Sequence, residues 1–282
     1  MTRQPDEPTK ALVPAALPAI ALVAATVLRV PAEDSLLTQL AAPPPSFGEQ
    51  LARLDRLCGL AVVASLALHS KLPVDLKFSE RVAVICASAD GCLATDTAFY
   101  RGVQRGEASP RLFAYTLHSS PVGAVSIQHG YTGPGYTLVG SSVTGLQALC
   151  AAQDLLASRQ ADACLVLSCD VSVLPGQPDR AAALLFLPSE AVLSQPGVGT
   201  LHAVCEAYLS GGGKEALQTC LSRVSARTGC PPGLPIIRAD EPPLVTLADR
   251  SSGHGEPRLD GFLLTALDAS GQAAAAWLTV GS

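Results

Sequence analysis

The sequence predicts an α/β fold of stacked layers, and three observations carry the prediction. Short aliphatic runs alternate with stretches of helical periodicity, the pattern of strands in a sheet covered on both faces. Of the 282 residues, 48% are apolar and 15% charged, enough to bury a large core. Aromatics make up only 4%, so Ala, Leu and Val must fill that core, which suits thin helices on aliphatic strands better than a surface for stacking bases or sugars.

Taken in order, residues 1–10 are polar and contain Pro, and read as a flexible tail. The apolar stretch Ala11 to Val30 follows, but Pro14 and Pro18 interrupt any helix and Asp6 and Glu7 spoil a positive leader, so no membrane segment is expected. Ile20 to Leu28 reads instead as a buried strand. Ala42-Pro43-Pro44-Pro45-Ser46 is a stiff surface connection. Apolar residues at helical spacing (Leu51, Leu54, Leu57, Leu60, Val63, Leu66) predict one helix from Phe47 to Leu68, delivering the chain to a strand Arg81 to Cys86.

A helix is expected about Thr95 to Arg105, then a Ser109-Pro110 turn and a mixed segment Phe113 to Gln128 ending at Gly130. Tyr136 to Gly140 reads as a short buried strand, Ser142 to Arg159 as an amphipathic helix, and Ala163 to Ser168 and Ala181 to Leu187 as strands around a Pro175-Gly176 loop. Beyond Pro188 the pattern thins. It offers a strand Leu201 to Tyr208, a Gly211-Gly212-Gly213 turn, a helix Glu215 to Thr228, a Pro-rich patch Pro231 to Pro235 and an apolar run Leu244 to Leu247. A helix candidate Asp260 to Asp268 and a strand Ala274 to Val280 close the chain, and no short-period repeat is visible. The expected organisation is the tail at 1–10 and one domain over 11–282, with an N-terminal half of about 11–187 and a reduced C-terminal half of about 188–282.

Charge and cysteine usage narrow the function. With 19 basic against 24 acidic residues the formal net charge is −5, which offers no footprint for nucleic acid or an anionic membrane. The nine cysteines stand singly with no C-x-x-C pair, and several lie inside apolar runs such as Val84-Ile85-Cys86-Ala87. Reduced, buried thiols in a cytoplasmic protein are expected. No His, Cys and carboxylate cluster has metal-ligand spacing, so no metal is expected. Gly211 to Gly213 precedes Lys214 without P-loop spacing, and no cofactor is expected.

The most informative stretch runs Gly130-Tyr-Thr-Gly-Pro-Gly-Tyr-Thr-Leu-Val-Gly-Ser-Ser-Val-Thr-Gly145, then a helix, then Arg159-Gln-Ala-Asp-Ala-Cys-Leu-Val-Leu-Ser168. It resembles the nucleophile region of the β-ketoacyl-acyl carrier protein synthases of the thiolase superfamily, where a "GPNYTVSTACATG" run sets a Cys at a strand-to-helix turn and an "RGDADVVLAGG" run follows. Gly133-Pro134, Tyr136-Thr137, Thr144-Gly145 and Ala161-Asp162-Ala163 fix the register, and the nucleophile position falls on Ser142. Upstream, Glu80 to Ser88, the helix into Phe99-Tyr100-Arg101-Gly102, and Val122 to Gly130 are similar to the family's second strand, its following helix and its dimer-interface helix. The resemblance implies a thiolase-like αβαβα fold with a shortened C-terminal half. Of the family's two C-terminal histidine loops, "HGTGT" is absent, and Gly253-His254-Gly255-Glu256 looks like a remnant of "GHxxGAAG".

A condensing enzyme needs a thiolate to carry the acyl chain and histidines to stabilise the enolate and oxyanion. Ser142 is an alcohol that stays protonated without a base, so two roles stand open: Ser141 or Ser142 caps the helix from Val143, or Ser142 carries an acyl group. These departures resemble the short chain-length-factor subunits of type II polyketide and aryl polyene systems. The resemblance implies a non-catalytic subunit paired with an active ketosynthase, served by an acyl carrier protein and shaping the acyl tunnel. Phe113, Tyr115, Thr116, Leu117 and His118 would line that tunnel and the interface, with Tyr136 to Gly140 and Phe113 to Gly130 facing the partner. The alternative is a serine acyltransferase or thioesterase-like enzyme using Ser142 and His254. An α/β-hydrolase is disfavoured, since Gly140 to Gly145 is not G-x-S-x-G. A lone histidine such as His118 or His129 is more often a satisfied core or surface residue than a functional one.

Overall fold

The computed structural model describes residues 18–72, 76, 79–191, 199–208, 213–228, 234–238, 242–251, 261–267 and 272–279. Its first half runs β1 (Ile20–Val30), α1 (Phe47–Leu51), α2 (Arg56–His69), β2 (Val82–Ser88), α3 (Leu93–Gln104), α4 (Pro110–Phe113), α5 (Ser120–His129), β3 (Gly135–Val139), α6 (Thr144–Ala157), β4 (Ala163–Asp170) and β5 (Asp179–Pro188). The second half runs β6 (Gly199–Tyr208), α7 (Gly213–Thr228), β7 (Ile236–Arg238), α8 (Pro243–Ser251), β8 (Gly261–Leu267) and β9 (Gln272–Thr279).

The strands hydrogen-bond in the order β3-β2-β4-β5-β1-β6-β9-β8-β7. Pairing in the two halves follows one plan. In the first, β2 is parallel to β4, and β4, β5 and β1 are successively antiparallel; in the second, β7 is parallel to β8, and β8, β9 and β6 are successively antiparallel. Thus β6, β7, β8 and β9 stand where β1, β2, β4 and β5 do, and α7 and α8 stand where α2 and α6 do. The halves meet where Ile20, Ala21 and Leu22 pair antiparallel with Leu201, Thr200 and Gly199. The excursion α3–α5 and β3 has no counterpart, because only residues 239–242 separate β7 from α8.

Three apolar clusters define the layers. The central one joins Leu146, Leu149 and Leu156 of α6 and Leu244 and Leu247 of α8 to Ile85, Val166, Leu184 and Phe186 on one side and Leu264, Ala274 and Ala276 on the other. The second joins Leu57, Leu60, Val63 and Leu68 of α2 to the opposite faces of β2, β4 and β5, and the third joins Ala216, Cys220 and Val224 of α7 to Leu263, Ala275 and Trp277. The result is the thiolase-like αβαβα stack, with α6 and α8 buried between two half-sheets. A Cβ on Gly145 would stand 3.1 Å from Leu244 Cγ, so the glycine sets the approach of the two central helices.

Several sequence expectations change. The single helix expected from Phe47 to Leu68 is two, because Asp55 accepts a hydrogen bond from the Cys58 N–H (2.9 Å) and starts α2 afresh. Tyr136 to Gly140 is not buried: β3 is an edge strand with Tyr136 and Val139 exposed, since it hydrogen-bonds on one side only, to β2. The helix candidate Asp260 to Asp268 is strand β8, and the run Leu244 to Leu247 lies in helix α8. Short apolar runs carry no decisive period, so pairing with β9 decides the first and the central layer decides the second. The expected turn at Gly211-Gly212 lies outside the described residues. The seven described free cysteines are buried or half-buried, without disulfides, and no described helix is long and apolar enough to cross a membrane.

Gly133 gives this architecture a sensitive point. A Cβ there would lie 2.4 Å from the Val82 carbonyl oxygen, where β3 enters beside β2. Gly133→Ala is expected to lower the stability measured by urea unfolding by about 1–3 kcal/mol, as overpacking does. Gly123→Ala, on the open face of α5 with no neighbour within 4 Å, is expected to leave it unchanged or raise it by about 0.5–1 kcal/mol.

Candidate functional site

The nucleophile position lies where β3 turns into α6. Around it is a cavity of about 270 Å³ lined by the C-terminal ends of β2 and β4 (Ala87, Ser88, Ser168, Asp170), the turn Ser141-Ser142, Thr144 and Gly145, Arg180 of β5, and Pro242 and Pro243 at the start of α8. Sheet parity explains the membership. Ile85 and Ala87, Val166, and Ala182 and Leu184 all face the central helices, so Ser168, Asp170 and Arg180, in step with them, face the same layer.

Polar contacts fix the rim. Asp170 Oδ1 accepts from the Ser88 hydroxyl and the Ala89 N–H, both at 2.7 Å, and from the Asp90 N–H at 3.4 Å. Ser88 Oγ in turn accepts from the Gly91 N–H at 2.7 Å. Ser142 is exposed and donates its hydroxyl to the Leu267 carbonyl at 3.0 Å. The capping role does not hold: the residue capping α6 is Val143, and no side chain caps the helix, because Ser142 turns across to β8 instead. For the other role, no base stands among the described residues: a carbonyl oxygen takes the Ser142 proton without removing it, and no described residue lining the cavity is His, Cys or Lys. His254 lies outside the described residues, as does the tail at 1–10.

The five residues expected at a tunnel or interface gather at and just after α4. Phe113 and Leu117 are each 61% exposed, with Phe113 tilted against Phe99 at 5.5 Å. Tyr115 donates to the Arg53 carbonyl (2.9 Å), and Thr116 to the Phe113 carbonyl (2.8 Å). His118 is exposed and its Nδ1 lies 3.1 Å from the Sγ of buried Cys92, whose thiol is pushed up to about 11 by burial and by Asp96. The elements around them expose further large apolar groups: Leu93, Tyr100 and Val103 of α3, Ile127 of α5, and Tyr136 and Val139 of β3.

His129 belongs to a different cluster, which spacing along the chain could not reveal. Its ring stacks on that of His69 at 4.1 Å, each at the end of its helix. His129 Nε2 meets Ser65 Oγ (2.9 Å), and His69 meets the Ser65 carbonyl (2.7 Å) and the Tyr131 hydroxyl (2.5 Å). Burial, then the neighbouring His69, pushes His129 down to about 3; burial also lowers His69 and raises the Tyr131 phenol. These are structural histidines, held neutral.

Comparison with known proteins places this geometry. A family model, the β-ketoacyl synthase N-terminal domain, matches residues 33–190. Among solved structures, the ishigamide ketosynthase/chain length factor is similar with a TM-score of 0.68 and 20% identity, covering 89% of this chain and 86% of that one. A type II polyketide synthase acyl-carrier protein in complex with its ketosynthase bound to the hexaketide (AntDE:AntF) is similar at 0.68 and 14%, over 93% and 99%. The ketosynthase ApeO in complex with its chain length factor ApeC, from Xenorhabdus doucetiae, is similar at 0.55 and 15%, also over 93% and 99%. At these identities the likeness is one of fold. No curated protein matches the sequence.

Two outcomes are expected. Unfolded histidines titrate near 6.5, so His69 and His129, depressed in the native state, contribute stability that is full above that value and lost as pH falls from it toward 3. Urea midpoints should therefore drop between pH 7 and pH 4.5, and His129→Phe should flatten that dependence. Ser142→Ala, removing one exposed hydrogen bond, should change stability by no more than about 0.5–1.5 kcal/mol.

Proposed function

We propose, starting from the fact that the chain belongs to the β-ketoacyl synthase family, that it is a non-catalytic subunit acting as a chain length factor: it pairs with an active ketosynthase and shapes the tunnel for a growing acyl chain in type II polyketide or polyene elongation. One observation carries this. At the family's nucleophile position stands an alcohol bonded to the Leu267 carbonyl, in a cavity with no thiol, imidazole or amine among the described residues that line it. Acyl transfer needs an activated nucleophile and an oxyanion partner. The sequence also contains no HGTGT run, the family's first histidine loop.

Pairing has its own support. The edge strand β3 presents unpaired backbone groups, and α3, the segment after α4, α5 and β3 itself expose Leu93, Tyr100, Val103, Phe113, Leu117, Ile127, Tyr136 and Val139 around it. Monomers rarely leave so many large apolar groups open on neighbouring elements. In this proposal the described residues and the rest of 11–282 act as one unit in the cytoplasm, and an acyl carrier protein delivers substrate to the complex. A stand-alone serine acyltransferase is less well supported, because the carboxylate in the cavity, Asp170, is already engaged with Ser88 and two backbone N–H groups.

Coexpression with a cognate ketosynthase should yield a heterodimer on size exclusion; a stable monomer that ignores the synthase would sink the pairing. Purified alone, the chain should take no label from an acyl thioester at Ser142, and Ser142→Ala should leave product formation by the heterodimer within a few-fold of wild type. Leu117→Ala and Phe113→Ala remove exposed groups and should leave the fold within about 0.5 kcal/mol. In the heterodimer they should lengthen carrier-bound products seen by mass spectrometry, since each further buried CH₂ is favourable by about 0.8 kcal/mol. Unchanged lengths with both variants, complex intact, would remove these side chains from the tunnel.

A further inference from the structure

We propose that the cavity beside Ser142 is a binding site for a small carboxylate, held by Arg180. The inference rests on the cavity's geometry and stands whether or not the chain pairs with a synthase. Arg180 lines the cavity, and its Nε is buried without a hydrogen-bond partner among the described residues. Its two charged neighbours across the sheet are occupied elsewhere. Asp170, opposite it on β4, is turned to the Ser88 hydroxyl and the Ala89 N–H, and forms no ion pair with Arg180. Arg29, opposite it on β1, is paired with Asp249 of α8 at 2.6 Å.

Arg180 is half-buried, but its Nε is a buried donor with no partner among the described residues, which is costly, and an anion that reaches it recovers that cost. The rest of the wall fits such a guest. Thr144 and Ser168 are only 4% and 3% exposed, and their hydroxyls make no hydrogen bond among the described residues; the Ser141 hydroxyl is likewise free. Three hydroxyl donors and one cation therefore line the same space. The volume, about 270 Å³, equals that of on the order of nine waters at ~30 Å³ each, enough for a carboxylate of a few carbons and too little for a long acyl chain. A planar monocarboxylate matches the edge of a guanidinium, and it meets the Asp170 charge in the same cavity with less repulsion than a dianion such as phosphate.

Isothermal titration of the purified full chain, alone or in the complex with which it purifies, tests this with acetate, propionate and inorganic phosphate at fixed ionic strength. Saturable binding of acetate or propionate at one site, weakened at least ten-fold in R180Q, is the expected result. Absence of saturable binding, undiminished binding to R180Q, or preference for phosphate over both carboxylates overturns it. Should circular dichroism show R180Q unfolded, phenylglyoxal modification of the wild type decides: acetate should protect Arg180 but not exposed Arg81 in peptide maps, and equal modification of Arg180 with and without acetate overturns the site.

Discussion

Helix α6 is clamped between two half-sheets, and that burial constrains everything around it. Leu146, Leu149, Ala152, Leu155 and Leu156 meet apolar side chains of β2, β4 and β5 on one face and of β6, β8 and β9 on the other, with α8 alongside. A helix buried on two faces must be apolar over most of its surface, Asp154 being its one exposed residue, and its neighbours must be small where backbones approach. Gly145 is the point of closest approach to α8, at Leu244. Polar groups gather where α6 begins, in the cavity formed by Ser141, Ser142, Thr144, Ser168, Asp170 and Arg180.

The repeated strand pairing explains why the two ends of the molecule differ. In the first half the chain leaves the sheet after β2, builds α3 to α5 and returns as β3; in the second it passes from β7 to α8 in four residues. The excursion creates the exposed apolar elements on which pairing with another subunit would rest. The short connection leaves Pro242 and Pro243 as the contribution of the second half's connection to the cavity. The β4–β5 hairpin carrying Asp170 and Arg180 is itself anchored. Buried Asp179 bonds Arg56 Nε at 2.7 Å and the Ser172 N–H at 3.0 Å, while Arg56 also donates to the carbonyls of Pro31 and Asp34. Breaking such a pair strands a buried charge, so it fixes the hairpin even though the pair itself adds little net stability.

Chemically, the cavity keeps the shape of a strand-to-helix elbow while presenting hydroxyls and a guanidinium. Those groups orient and neutralise, and among the described residues no imidazole or amine lines the cavity beside them. The thiol nearest in the chain to this end of the sheet, Cys169, is buried in the cluster on the opposite face of β4 with its pKa raised, and the two stacked histidines are locked between α2 and α5. Among the described residues the buried thiols and the stacked imidazoles of His69 and His129 serve packing.

Local chemistry determined a good deal of this from the sequence alone. The apolar run Ala163 to Ser168, short and bounded by polar residues, reads as an interior strand, and the Gly-Pro and Thr-Gly spacing around Ser142 marks the elbow because turn residues act over a few positions. What depended on groups far apart in the chain was left to the tertiary structure. Ser142 is no cap because Leu267, 125 residues away, offers a better-placed carbonyl. Phe262 to Leu267 is a strand because β9 pairs with it, and Tyr136 is exposed because nothing flanks β3 beyond β2 in the described chain. The kinship of the two halves is carried by pairing order and not by recurring residues, and Arg180 acquires its meaning only when β4, β5 and α6 bring hydroxyls around an unpaired charge. Periodicity reports how a segment meets its surroundings; which surroundings it meets is settled when the layers close.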